Sequence, residues 1–161
     1  MIVTGREIAL TLYGKPPTRY EPHIDTRERR RGERPRMFPD ARTVDGMRRW
    51  QMEWRRQGSP YLKGPVEVEL LVIRSRPQSH LLVNGVALSS EGHKYPIPPR
   101  PDCSNVLKLV EDALKRLAFG DDAEIACAFV SKAYGSPERC ELVIRPWDDG
   151  ATTPTLLEEE A

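Results

Sequence analysis

Residues 65–74 read PVEVELLVIR, and this stretch decides the fold. Val66, Val68 and Leu70 alternate with Glu67 and Glu69, and the run then stays apolar through Ile73. Alternation with period two is the signature of a β-strand, because successive side chains point to opposite faces of a sheet. A strand this apolar needs partners and a helical cover.

Upstream, residues 3–12 end in the apolar run Ile8 to Leu12, suited to a strand, which Gly14-Lys15-Pro16-Pro17 stops. Thr18 to Asp40 is rich in Arg and Pro and nearly free of apolar residues, which predicts a long exposed loop. From Thr43 to Gln57, Met47, Trp50 and Trp54 recur at three- and four-residue intervals and predict a helix with its tryptophans in the core. Downstream, residues 75–101 form a second Pro-, Ser- and Gly-containing connection, with a small hairpin expected around Asn84-Gly85. A second helix is expected from Ser104 to Leu117, with Val106, Leu109, Val110, Ala113, Leu114 and Leu117 on one face. Residues 123–134 and 138–147 then read as two strands joined around Gly135-Ser136-Pro137, most simply an antiparallel hairpin. The order strand, helix, strand, helix, strand, strand gives an α/β class: a single domain over residues 1–147, built as a mixed four-stranded sheet covered by two helices. Residues 148–161 read as an acidic flexible tail.

Composition agrees with one domain. A chain of 161 residues holds one modest core, and 15 prolines with 30% charged residues predict long polar connections around it. No apolar run reaches the ~18 residues a membrane span needs, and MIVTGREIAL lacks the basic start and apolar stretch of a signal peptide, so a soluble intracellular protein is expected. Cys103, Cys127 and Cys140 are odd in number and lack CxxC spacing, against both a disulfide framework and a zinc site. The net charge of +1 hides an asymmetry: residues 14–64 carry fourteen Lys and Arg against seven Asp and Glu, whereas residues 146–161 carry five acidic residues and no basic one. A basic half beside an acidic tail suits a protein with one surface turned to a polyanion.

The chemistry-bearing stretch is RPDCSNVLKLVEDALKRLAFGDDAEI, residues 100–125. Asp102 precedes the second helix and Asp121 and Asp122 follow it; carboxylates bracketing a helix supply the hard oxygens a divalent metal prefers. Simpler roles stand beside this one. Asp102 or Ser104 suits an N-cap, Asp121 and Asp122 after Gly120 suit a turn, and Lys108 with Asp112 suits an i, i+4 surface ion pair. Pro101-Asp102-Cys103-Ser104-Asn105-Val106-Leu107-Lys108, then Asp112-Ala113-Leu114, then Asp121-Asp122, resembles the RusA-type Holliday-junction resolvases, whose pattern is roughly P-D-x-D-N-L-x-K, D-A-L and D-D. Lys15-Pro16-Pro17-Thr18 is similar to the family's P-P-S/T opening, and Lys132 stands where the family tends to place a lysine after the acidic pair.

The resemblance implies a magnesium-dependent endonuclease, with manganese as a possible substitute, that resolves four-way and other branched DNA junctions by paired cleavage in recombination and repair. It implies a bacterial or phage-encoded homodimer, with catalytic Asp102, Asp122 and Lys108 and metal ligands Asp102, Asp121 and Asp122. The second aspartate of the pattern is Ser104 here, so a relative that binds branched DNA without cutting it is the alternative. Lys15, Arg19, Arg30, Arg31, Arg34, Arg36 and Lys132 are the expected DNA contacts, because guanidinium and ammonium groups pair with backbone phosphates without reading sequence. Fourteen helical residues would set Ser104 and Leu117 ~20 Å apart. Asp102 and Asp122 therefore meet only if the turn after the helix folds back, or if the site forms between two chains, Asp102 of one facing Asp122 of the other.

Overall fold

The alternation at residues 66–74 does form a strand, and it is paired on both sides. The computed structural model describes residues 7–17, 22–24, 37–83, 85 and 87–148. Their elements run β1 (Ile8–Tyr13), β2 (Pro22–Ile24), β3 (Met37–Pro39), α1 (Ala41–Arg56), β4 (Val66–Arg74), α2 (Ser90–Lys94), α3 (Cys103–Leu114), β5 (Ile125–Tyr134) and β6 (Arg139–Pro146). Four strands make one mixed sheet in the order β1-β6-β4-β5, in which β6 is antiparallel to β1 and β4 while β5 is parallel to β4.

Three sequence expectations are corrected here. β5 and β6 are not a hairpin, because β4 lies between them. Their short connection crosses the end of β4 instead, and the link is polar: Gly135 N–H donates to Arg74 O at 3.0 Å, and the Glu138 carboxylate accepts from Arg74 Nε at 3.0 Å and Ser75 N at 3.1 Å. Within the stretch read as a loop, Thr18 to Asp40, β2 and β3 pair antiparallel, Pro22 opposite Pro39 and Ile24 opposite Met37. The connection between β4 and α3 is also more structured than expected. It contains α2 and a 3-10 turn at Gln78–His80, and a single antiparallel bridge, Leu81 to Leu88, closes the expected hairpin. The acidic stretch beyond Asp148 lies outside the described residues.

Both long helices lie on one face of the sheet. β4 sends Val66, Val68, Leu70 and Val72 to that face, β6 sends Cys140, Leu142 and Ile144, and β1 sends Ile8, Leu10 and Leu12. α1 covers them with Trp50 and Trp54, and α3 with Val106, Leu109, Val110, Ala113 and Leu114. Removing this apolar surface from water is the main favourable term in folding. Burial also pushes the Cys140 thiol up to about 12. The opposite face is charged, with Arg145 set between Glu67 and Glu69 at 2.6 and 3.6 Å.

The helices begin and end for local reasons. Asp40 caps α1, its carboxylate accepting from Thr43 N at 2.6 Å, and Arg55 and Arg56 sit in its last turn where the helix dipole favours cations. Near its start α1 meets both α3 and the turn after β1 at Gly46. A Cβ there would stand 2.8 Å from Pro17 Cβ and 3.0 Å from Leu109 Cδ1. Arg49 fixes that turn from the helix, donating to Lys15 O at 2.9 Å and Tyr13 O at 3.0 Å. Gly46→Ala should therefore lower stability by up to about 2 kcal/mol, since overpacking of ~1–3 kcal/mol opposes a helix-propensity gain of ~1 kcal/mol. Urea unfolding measures it, and an unchanged or raised midpoint would show that Pro17 and Leu109 yield freely.

Candidate metal and DNA site

α3 ends three residues before the predicted Leu117, and the way it ends builds the site. Lys115 leaves helical geometry (φ −50°, ψ 131°) and Arg116 takes φ +65°, a left-handed conformation costly for any residue with a Cβ. Arg116 N–H donates to Phe119 O at 2.7 Å and Ala118 N–H to Leu114 O at 2.8 Å, so the chain reverses within four residues. Ala118 and Phe119 are buried behind the turn. The Glu124 carboxylate accepts from Gly120 N at 2.9 Å, and a 3-10 turn, Asp122–Glu124, leads straight into β5.

Folding back returns the chain to α3 but brings only Asp121 and Asp122 together: Asp102 stays at the N-cap of the helix, and among the described residues it does not join them in a group of three metal-ligating side chains. Asp122 comes to rest on the flank of α3, its Oδ2 3.8 Å from Lys108 Nζ and its Oδ1 2.9 Å from Lys115 Nζ. Lys115 Nζ is also 2.9 Å from Asp121 Oδ2, so one ammonium is held by two adjacent carboxylates. The expected Lys108–Asp112 ion pair is present at 3.3 Å, and Lys108 thus lies between Asp112 and Asp122. Lys115 was not singled out by the sequence; it follows Asp112-Ala113-Leu114 with no periodicity to mark it.

The electrostatics follow from these contacts. A hydrogen bond with the Asp122 carboxyl, then the Lys115 ammonium and Ala123 N–H, hold the Asp121 carboxyl well below the usual carboxylate range. The same bonds, to Asp121 first and Asp122 second, raise the Lys115 ammonium. Partial burial pulls Lys108 down, but Asp112, Glu111 and Asp122 outweigh it and its net shift is upward. Partial burial raises Glu111, with Asp122 and Asp112 adding to the shift and Lys108 opposing it. The cluster is one field of acids and lysines on the surface of α3.

Asp102 occupies the N-cap position of α3, and its backbone carbonyl accepts from Val106 N at 3.2 Å. Its carboxylate makes no capping hydrogen bond and stays exposed, so capping does not use up its oxygens. Ser104 is exposed in the same first turn. Lys132, on β5, donates to Pro101 O at 3.0 Å and Pro99 O at 3.5 Å, which ties the strap entering Asp102 to the sheet. Earlier in the same connection, Arg76 lies with its guanidinium 3.9 Å over the Tyr134 ring and donates to Tyr95 O at 3.2 Å. Asp102 itself stands six residues, or ~9 Å of helix rise, before Lys108.

On the α1 side, Lys15 lines an open groove of about 560 Å³ together with Arg42, Arg49 and Asp45. Three cations at one groove suit a phosphate backbone, and Arg42 and Arg49 were not among the expected contacts. Arg19, Arg30, Arg31, Arg34 and Arg36 lie outside the described residues.

A mixed sheet with two helices on one face, an acidic pair folded against a helix whose N-cap is a further exposed aspartate, and lysines among them define a single-domain α/β protein with a charged cluster on one helix. Residues 19–145 match the family described as endodeoxyribonuclease RusA, and the chain belongs to that family. It is also 34% identical over 86 residues to the "Uncharacterized protein YqaN" of Bacillus subtilis (strain 168), a match covering 52% of this chain and 59% of that protein. Among the described residues no helix is long and apolar enough to cross a membrane.

Asp121 and Asp122 are adjacent carboxylates, the hard-oxygen donors a divalent cation accepts. Among the described residues no three His, Cys, Asp or Glu side chains form a ready-made cage. Magnesium does not need one: it keeps several waters and binds through one or two carboxylates plus substrate phosphates, and Asp121 and Asp122 are hard, adjacent and ionisable. The pH dependence of this turn has a definite sign. Asp121 is depressed in the folded chain, so the stability it contributes is fully present above the ordinary Asp value near 3.8 and is lost as pH falls through its lower folded value. Asp121→Asn should therefore melt below wild type at pH 6, and the gap should close progressively below about pH 4. Melting curves followed by circular dichroism would contradict this if the gap were the same at pH 6 and pH 3.

Proposed function

We propose that this protein is a magnesium-dependent, structure-specific endonuclease that cuts four-way and other branched DNA junctions by paired phosphodiester hydrolysis. The observation that carries the reading is the folded-back turn, which sets Asp122 beside Lys108 and both Asp121 and Asp122 against Lys115, on the helix that Asp102 opens, in a chain of the endodeoxyribonuclease RusA family. A bound magnesium, or manganese in its place, would polarise the scissile phosphate and lower the pKa of a bound water. Asp122, Asp121 and Asp102 are the carboxylates that would hold it. Lys108 supplies an ammonium to offset negative charge on the phosphoryl oxygens as it builds up. Lys132 keeps Pro99–Pro101 in place and so positions Asp102.

DNA would be gripped through phosphates rather than bases. Lys15, Arg42 and Arg49 at the groove, with Arg19, Arg30, Arg31, Arg34 and Arg36 of the basic stretch, are suited to a backbone that bends through a junction. A four-way junction has two symmetric strands to cut, which calls for two copies of this chain acting as a homodimer. Ser104 at the position of the family's second aspartate favours a second reading, binding without cutting, because a hydroxyl is a neutral and weaker magnesium ligand than a carboxylate.

One assay separates the two. A mobile four-way junction and a linear duplex of the same arms are incubated with magnesium or EDTA, using wild type and Asp102→Asn. The expected result is paired nicks on the junction alone, dependent on magnesium and reduced at least about 100-fold by the substitution. Salt-sensitive junction binding without nicks would establish the second reading, and neither binding nor nicks would overturn both.

A further inference from the structure

One charged group at this turn, Lys115, is held by two carboxylates although the family pattern does not mention it. Lys115 is the residue at which α3 stops, and its main chain is fixed twice, by its N–H to Glu111 O at 2.8 Å and by a parallel bridge to Phe119. From that anchored position its ammonium sits 2.9 Å from Asp121 Oδ2 and 2.9 Å from Asp122 Oδ1. The two carboxylates proposed above as metal ligands thus already share a cation. Asp122 has its other oxygen turned towards Lys108, at 3.8 Å.

We infer that Lys115 is a built-in competitor for the divalent cation: its ammonium holds the position between Asp121 and Asp122, and a metal loads onto this pair only by displacing it. The inference rests on the reading of Asp121 and Asp122 as metal ligands. An ammonium and a divalent cation a few ångströms apart on the same two carboxylates repel each other, so the hold of Lys115 on Asp121 Oδ2 and Asp122 Oδ1 opposes the metal. Tethered to the same turn, the ammonium also competes at the high effective concentration of an intramolecular group. Lys108 does not play this part, since it is farther from Asp122 and shares itself with Asp112 at 3.3 Å. Lys115 is accordingly a positioning residue: it orders the acidic pair in the metal-free protein and weakens metal binding to it.

The consequence has a direction that a purely structural lysine would not produce. Truncating a residue that only supports the turn would loosen the carboxylates and weaken metal binding, whereas removing a competitor strengthens it. Mn²⁺ binding to the full chain, without DNA, is measured by the electron paramagnetic resonance of free Mn²⁺ for wild type, Lys115→Ala, Lys115→Gln, Lys115→Arg and Asp122→Asn, with circular dichroism to check folding. The two neutral variants should bind Mn²⁺ roughly three- to thirtyfold more tightly than wild type, the range expected from releasing two partly exposed ion pairs. Lys115→Arg should stay near wild type and Asp122→Asn should lose the site. Equal or weaker binding by both folded neutral variants, with Asp122→Asn still losing it, would overturn the role of Lys115 while leaving the metal site standing. Binding that is indifferent to Asp122→Asn would overturn the metal site itself, and the inference with it.

Discussion

Everything at the site depends on the reversal that ends α3. Lys115 and Arg116 abandon helical geometry, Arg116 at a positive φ, and the cost is offset by burying Ala118 and Phe119 and by the hydrogen bonds that close the turn. Leu62 N–H, arriving from the α1 side, donates to Ala118 O at 2.8 Å and pins the same turn to the linker before β4. The chain then enters β5 with Ile125 opposite Val66, in parallel register with the central strand. One local event therefore sets both the edge of the sheet and the place of the acidic pair.

The parallel pairing of β4 and β5 has the same origin. Parallel neighbours need a crossover connection, and here residues 75–124 provide it, with α3 packed over the sheet as its main element. α3 meets α1 through Leu109 against Gly46 and through Gln51 Nε2, which donates to Ala113 O at 3.1 Å. The buried face of α3 thus fixes its rotation, and its outer face, carrying Lys108, Glu111 and Asp112, is left to bear the charges that meet Asp122. The lysines of this cluster pair with its acids in the free protein, and a metal or phosphate bound there would compete with those pairs.

Much of this was legible in the chain. Alternation at Val66–Ile73 gave the central strand, and the spacing of Trp50 and Trp54, and of Val106, Leu109, Val110 and Ala113, gave two helices with the correct faces buried. Hydrophobic period does not encode which strand pairs with which, so the nearness of the last two strands in sequence suggested a hairpin where β4 in fact intervenes. The end of α3 was misplaced because Leu117 continues the apolar spacing, while the features that end the helix there are tertiary: burial of Ala118 and Phe119, and the Leu62 bond. The acids were singled out by their order within the family pattern, but Lys115 was not, since its partners are six and seven residues away around a turn rather than one helical turn along.

The most direct measurement is paramagnetic: Mn²⁺ added in small amounts to the ¹⁵N-labelled protein, with amide line broadening read residue by residue. Broadening centred on Asp121 to Ala123 and reaching Lys108 and Lys115, and lost in Asp122→Asn, is the expected result. Broadening centred instead on the charged sheet face at Glu67 and Glu69, with residues 108–123 unaffected, would contradict a metal site built by the folded-back turn.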